Sequence, residues 1–153
     1  KPQGGYHWRR MDILSILMDH NAEWDRYPPA DAASIEKLIA TAGIELPEEY
    51  VACLRYSNGG EGELGIVPGW FQLWSAEEVV DLNKEYEVEQ NAPGLFAFGS
   101  SGGGEWFAFD TRNQKPWKVV MLPFIPMDIK EAIAIADDFI AFILAMGYPF
   151  LSV

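Results

Sequence analysis

Three short segments of two-residue period, Leu95–Gly99, Glu105–Asp110 and Trp117–Leu122, follow one another with only residues 100–104 and 111–116 between them. Connections this short join antiparallel neighbours, because a parallel pair needs a crossover of a dozen residues or more. The second half of the chain is therefore committed to an antiparallel meander. The connections are rich in glycine, as tight turns require.

Helical periods surround this meander. Ile13, Leu14, Leu17 and Met18 share one face of a short helix over Met11–Met18. Tyr27-Pro28-Pro29 separates it from a second helix, in which Ile35, Leu38, Ile39 and Ala42 recur at helical spacing. Asp31 or Ser34 can cap that helix and Gly43 can close it. Pro47 suits the first position of a third helix, with Glu48 and Glu49 in its first turn and Asn58-Gly59-Gly60 at its end. Gly62–Gly69 reads as loop or short strand, and Phe71–Leu73 as a strand. Ser75-Ala76-Glu77-Glu78 is a capping box, with Trp74 and Val79 as the staple around a helix running to about Tyr86. A last helix is expected within Asp128–Met146, with Ala132, Ile133, Ala136, Ile140 and Ile143 inward and Gly147 and Pro149 ending it. Helices flanking one antiparallel sheet make the class α+β.

Charge narrows the function. The 153 residues carry 23 acids and 11 bases, a net of −12. A negative field repels phosphate, so nucleic acid is excluded as a partner and a basic protein is favoured. Eleven acids and two bases lie between Glu45 and Glu89, a local net of −9. That stretch is either a solvated face or a partner surface. No apolar run reaches the roughly 18 residues of a membrane span. The single cysteine, Cys53, cannot form an internal bridge, which fits a reducing compartment, and Lys1–Arg10 lacks the apolar stretch of a signal peptide. A cytoplasmic location is expected.

Two catalytic look-alikes fail on context. Gly60–Gly65 matches the G-x-G-x-x-G nucleotide fingerprint, but a helix enters it, and Glu61 and Glu63 would face phosphate. Gly99–Gly103 matches the G-x-S-x-G nucleophile elbow, but a strand follows, and His7 and His20 both precede it. Cys53 sits in an amphipathic helix as a small hydrophobe. Metal-ligand spacings are missing from the sequence, and no cofactor is implied. Of the six tryptophans, Trp74, Trp106 and Trp117 occupy core or staple positions, and Trp70, beside Gly69 and Pro68, is the candidate exposed contact.

Several of these residues together resemble the SUKH superfamily, named partly for fungal cell-wall-assembly and killer-toxin-resistance regulators. The resemblance rests on Ile35–Gly43 running into Leu46-Pro47-Glu48-Glu49-Tyr50, then Asn58-Gly59-Gly60-Glu61-Gly62, Pro93–Gly99, Phe109-Asp110 and a closing helix with Phe139 and Phe142. It covers about residues 34–146. It implies an α+β domain without catalytic activity, and for bacterial members an immunity protein that neutralises a toxin, often one acting on nucleic acid. No catalytic residue, cofactor or metal follows from it.

The expected organisation is an N-terminal extension over 1–30 with a short helix, a SUKH-like domain over 31–147, and a tail over 148–153. The expected function is a non-catalytic module that binds a basic toxin domain through an acidic surface. The alternatives are a hydrolase using paired carboxylates, or a sugar- or cell-wall-associated protein using exposed tryptophan. The expected partner surface is Glu61 and Glu63 in a glycine-rich loop, Trp70 as apolar anchor, and Glu77, Asp81 and Glu85 spaced four apart along one helix face.

Overall fold

A computed structural model describes residues 13–19 and 21–151. Its centre is one seven-stranded antiparallel sheet whose strand order equals chain order. The strands are β1 (Trp24–Arg26), β2 (Gly60–Glu63), β3 (Trp70–Leu73), β4 (Leu95–Ser100), β5 (Glu105–Asp110), β6 (Val119–Pro123) and β7 (Ile133–Ala136). Residues 13–17 are helical (α1). The other helices are α2 (Ala32–Thr41), α3 (Glu48–Tyr56), α4 (Val79–Glu85), α5 (Val88–Asn91) and α6 (Phe139–Ala145). Of the first expected helix, Met11 and Asp12 lie outside the described residues.

The expected meander is present as β4–β5–β6. These strands are buried on both faces, because the sheet separates two hydrophobic clusters. The larger cluster joins Phe71, Phe98, Phe107 and Phe109 of the sheet to Tyr50 of α3 and Phe142 of α6. The Tyr50 ring meets those of Phe109 and Phe139 edge-on, at centroid distances of 5.4 and 5.5 Å. The smaller cluster lies behind the sheet, where Val88 and Ala92 cover Leu95, Trp106 and Leu122.

Local chemistry explains the helix ends. Asp31 caps α2 by accepting from the Ser34 amide at 2.7 Å, and Gly43 follows with φ +78°. The Ser75 box is half formed. Its back-reach exists, with the Ser75 amide donating to Glu78 Oε1 at 3.2 Å. The Ser75 hydroxyl, however, donates to that same carboxylate at 3.0 Å, and α4 begins only at Val79.

The expected last helix is a correction. Residues Ile129–Glu131 form a 3-10 turn, Ile133–Ala136 form β7, and only Phe139–Ala145 are α-helical. Ile133 is 51% exposed; Ile143 is buried as expected, and Phe139 and Phe142 join it in facing inward. Asp138 divides the two elements by accepting from the Ala141 amide at 2.8 Å, as an N-cap.

Candidate partner-binding surface

Side chains alternate between faces along a strand, so the register decides which residues share a surface. Asp25 pairs with Glu61, Glu61 with Gln72, and Gln72 with Ser100. Glu63 pairs with Trp70 two positions along, on the same face. The opposite face carries Trp24, Phe71 and Leu73 into the core. The smaller cluster covers the back of the sheet only at β4–β6, so at β1–β3 this back face is open. Asp25, Glu63 and Trp70 are exposed there, and Glu61 and Gln72 half-buried.

The location of Glu61 and Glu63 in a strand is a correction to the expected loop. The strand is glycine-rich because Trp24 lies over it: a Cβ on Gly62 would sit 2.6 Å from the Trp24 Cβ, and one on Gly60 2.7 Å from its ring. The glycines thus serve the core face and leave both glutamates on the open one.

Trp70 stands at the start of β3, its ring edge over Gly102, whose missing Cβ would lie 3.1 Å from Trp70 Cδ1. Phe150 packs back against Gly69, at 3.7 Å from the corresponding point. Val67, Trp70 and Phe150 are 43%, 40% and 43% exposed. An exposed indole beside carboxylates suits a protein-binding hot spot, and the indole face also attracts cationic side chains. Asp25, Gln72 and Phe150 are absent from the sequence expectation. Asp25 and Phe150 lie far from Trp70 in the chain; the strand register sets Asp25 opposite Glu61, and the return of the terminus sets Phe150 against Gly69.

Glu77, Asp81 and Glu85 are not brought to this cluster. They follow the far end of β3, and Glu77 lies before α4 rather than in it. Its carboxylate accepts from Asn58 Nδ2 at 2.8 Å and from the Ser34 hydroxyl at 3.1 Å. The Asn58 hydrogen bond holds its pKa below the usual carboxylate range. Glu77 therefore braces α2, α4 and the turn before β2. Asp81 and Glu85 remain exposed on α4.

The catalytic look-alikes have structural occupations. Ser101 donates to Glu105 Oε1 at 2.8 Å and accepts from the Gly103 and Glu105 amides, closing the β4–β5 turn. Burial pushes the Cys53 thiol up to about 12, so it carries no nucleophilic thiolate near neutrality. Among the described residues no three His, Cys, Asp or Glu side chains gather as metal ligands, and no helix is long and apolar enough to cross a membrane.

The sequence model of the SMI1 / KNR4 family (SUKH-1) matches residues 29–145. A search of the curated proteins gives no match.

Proposed function

Because the chain belongs to the SMI1 / KNR4 family (SUKH-1), which includes immunity proteins and KNR4-like regulators, we propose that it is a non-catalytic immunity module that neutralises a basic, nucleic-acid-acting toxin in the cytoplasm. The observation that carries this reading is the cross-strand pair of Glu63 and Trp70, with Glu61 and Asp25 beside it on an open sheet face. A toxin that holds phosphate presents a positive surface. Carboxylates on a rigid sheet steer towards such a surface, and Trp70 with Phe150 supplies desolvated contact area once it is reached.

The two parts separate kinetically. Reversal of Glu61 and Glu63 to lysine slows association and flattens its salt dependence, because screening shortens to about 8 Å at physiological ionic strength. Trp70→Ala raises the off-rate, with a loss of about 30-fold for a 2 kcal/mol anchor. The experiment is affinity capture from the native cell, followed by kinetics with the captured partner at several salt concentrations. A reversed protein that folds and binds as tightly as the original at low salt reduces the acidic face to a solubility feature. Turnover of an ester, phosphate, nucleic-acid or glycoside substrate that is lost in Glu61→Gln or Ser101→Ala overturns the non-catalytic reading.

A further inference from the structure

The two outer strands of the sheet, β1 and β7, are protected differently. β1 is three residues long and carries Asp25 and Arg26, and the Glu23 amide before it donates to the Gly147 carbonyl at 2.9 Å. Short length and charge are usual devices against pairing with another chain. β7 reads Ile-Ala-Ile-Ala, without a charge or a proline, and its Ile133 and Ala134 are exposed.

The register shows which backbone groups of β7 point outward. The Asp110 amide donates to the Lys118 carbonyl at 3.0 Å, so these two residues are a hydrogen-bonded pair. Bonded pairs recur at every second residue of an antiparallel ladder, here at Ala108–Val120 and Trp106–Leu122. Val119 and Met121 therefore direct their backbone groups at β7, and Met121 is bonded to Ile133. Ala134, opposite Val120, points its N–H and C=O away from the sheet. The Ala132 carbonyl, on the peptide before Ile133, points the same way, whereas the Ala132 amide donates to the Ile129 carbonyl at 3.1 Å. Ile135 is an extra residue between Ala134 and Ala136, and this bulge ends the outward run.

One donor and two acceptors thus surround one exposed isoleucine. A second copy, turned about a two-fold axis at Ile133, matches them. The Ala134 N–H of each copy donates to the Ala132 C=O of the other. Ile133 meets Ile133 in the close, non-bonded pairing, with Cα atoms about 4.5 Å apart, so the two exposed side chains cover each other. Charge permits the approach. Residues 111–136 carry four bases and two acids, whereas Glu45–Glu89 is net −9, so two copies meet here without opposing their acidic stretches.

We propose that two copies of this chain associate through their β7 edges, antiparallel about a two-fold axis at Ile133. The edge lies at the opposite end of the sheet from β1–β3, so the Trp70 face stays open in the dimer.

The test is sedimentation equilibrium of the full chain together with amide exchange. The interface is small, so a dissociation constant of about 10–100 µM is expected, read over about 10 µM to 1 mM protein. Exchange of the Ala134 amide is expected to slow as the dimer forms. Ile133→Lys, at a half-exposed position, keeps the fold and sets two like charges face to face, weakening the dimer by about tenfold or more. Leu144→Lys is the control. Leu144 is 53% exposed on α6 beside the Leu64–Met146 bridge, away from β7, and its replacement leaves the dimer unchanged. Oxidised glutathione is expected to couple Ile133→Cys chains into disulfide dimers and to leave Leu144→Cys chains uncoupled; Cys53 is buried and does not compete. A chain still monomeric at the highest concentration overturns the proposal, as does an Ile133→Lys variant that dimerises as tightly as the original. It is also overturned if a synthetic peptide of residues 128–138 protects the Ala134 amide of a chain that does not itself dimerise, which makes the edge a site for a partner's strand.

Discussion

The side chain of Asn58 bridges two positions in the turn before α4: its oxygen accepts from the Ala76 amide at 2.7 Å while its nitrogen donates to Glu77 at 2.8 Å. One side chain thus joins the turn after α3 to the turn before α4. Asn58→Ala removes both bonds and leaves a partly buried amide without its partner, a loss of about 2 kcal/mol in urea unfolding. Glu77→Lys also destabilises, so a charge reversal there reads as a folding defect and not as a binding effect. The Glu77 pKa is lowered in the folded state, so its contribution is complete above the unfolded carboxylate value and fades as pH falls through the folded one. In Glu77→Gln the acid limb of the stability profile flattens. An unchanged limb removes the brace.

Gly62 is fixed by Trp24. A Cβ at Gly62 would meet the Trp24 Cβ at 2.6 Å and its Cα at 3.0 Å, and neither atom is the free end of a side chain. Gly62→Ala must separate β1 from β2, with an expected loss of about 2–3 kcal/mol by overpacking. The tryptophan signal in near-ultraviolet circular dichroism measures the displacement, and a variant of native stability and spectrum contradicts this account.

Cys53 and Tyr50 make the fold sensitive to alkali. The buried thiol keeps its proton to about 12, and burial raises the Tyr50 phenol as well. In the unfolded chain a thiol loses its proton from about 8.5 and a phenol from about 10. Above those values the unfolded state binds fewer protons than the folded one, so stability is complete below pH 8.5 and falls as pH rises. The slope is roughly 1 kcal/mol per pH unit for the thiol, and steeper above pH 10. Cys53→Ala flattens the profile between pH 9 and 10. The native thiol also resists Ellman's reagent at pH 8 and reacts on unfolding. Rapid native reaction contradicts the burial.

Trp70 separates binding from stability. Trp70 is 40% exposed and stands outside both buried clusters. Trp70→Ala is expected to shift unfolding by no more than about 0.5 kcal/mol, the range of surface positions. A large loss of stability places the indole in the fold's own packing and removes the anchor from the partner surface.

The sequence was most legible where its local signals agreed with the packing. Glu105–Asp110 matches its strand to the residue, and Asp31 caps α2 as its position suggests. β7 was illegible because Ile133, Ala136, Ile140 and Ile143 imitate helical spacing. The informative residue was Asp138, which precedes Phe139 as a cap and starts a new helix there. β2 was hidden by Gly60 and Gly62, which lower strand propensity and are needed only because of Trp24, more than thirty positions earlier. The candidate surface was half legible for the same reason. Composition and neighbours single out Glu61, Glu63 and Trp70, but no local pattern links them to Asp25 or separates them from Glu77.

Strand order identical to chain order has a kinetic consequence. β4, β5 and β6 are joined by turns of a few residues, whereas residues 27–59, with two helices, intervene between β1 and β2. Short closures lose less chain entropy, so β4–β6 is the natural nucleus, and β1 is added at the cost of the longest closure within the sheet. The tail end of that assembly is also the first to come apart. Native-state hydrogen exchange is expected to find the amides of β1 opening well below the free energy that releases β5, so Asp25 leaves the acidic face before Glu61 and Glu63 do.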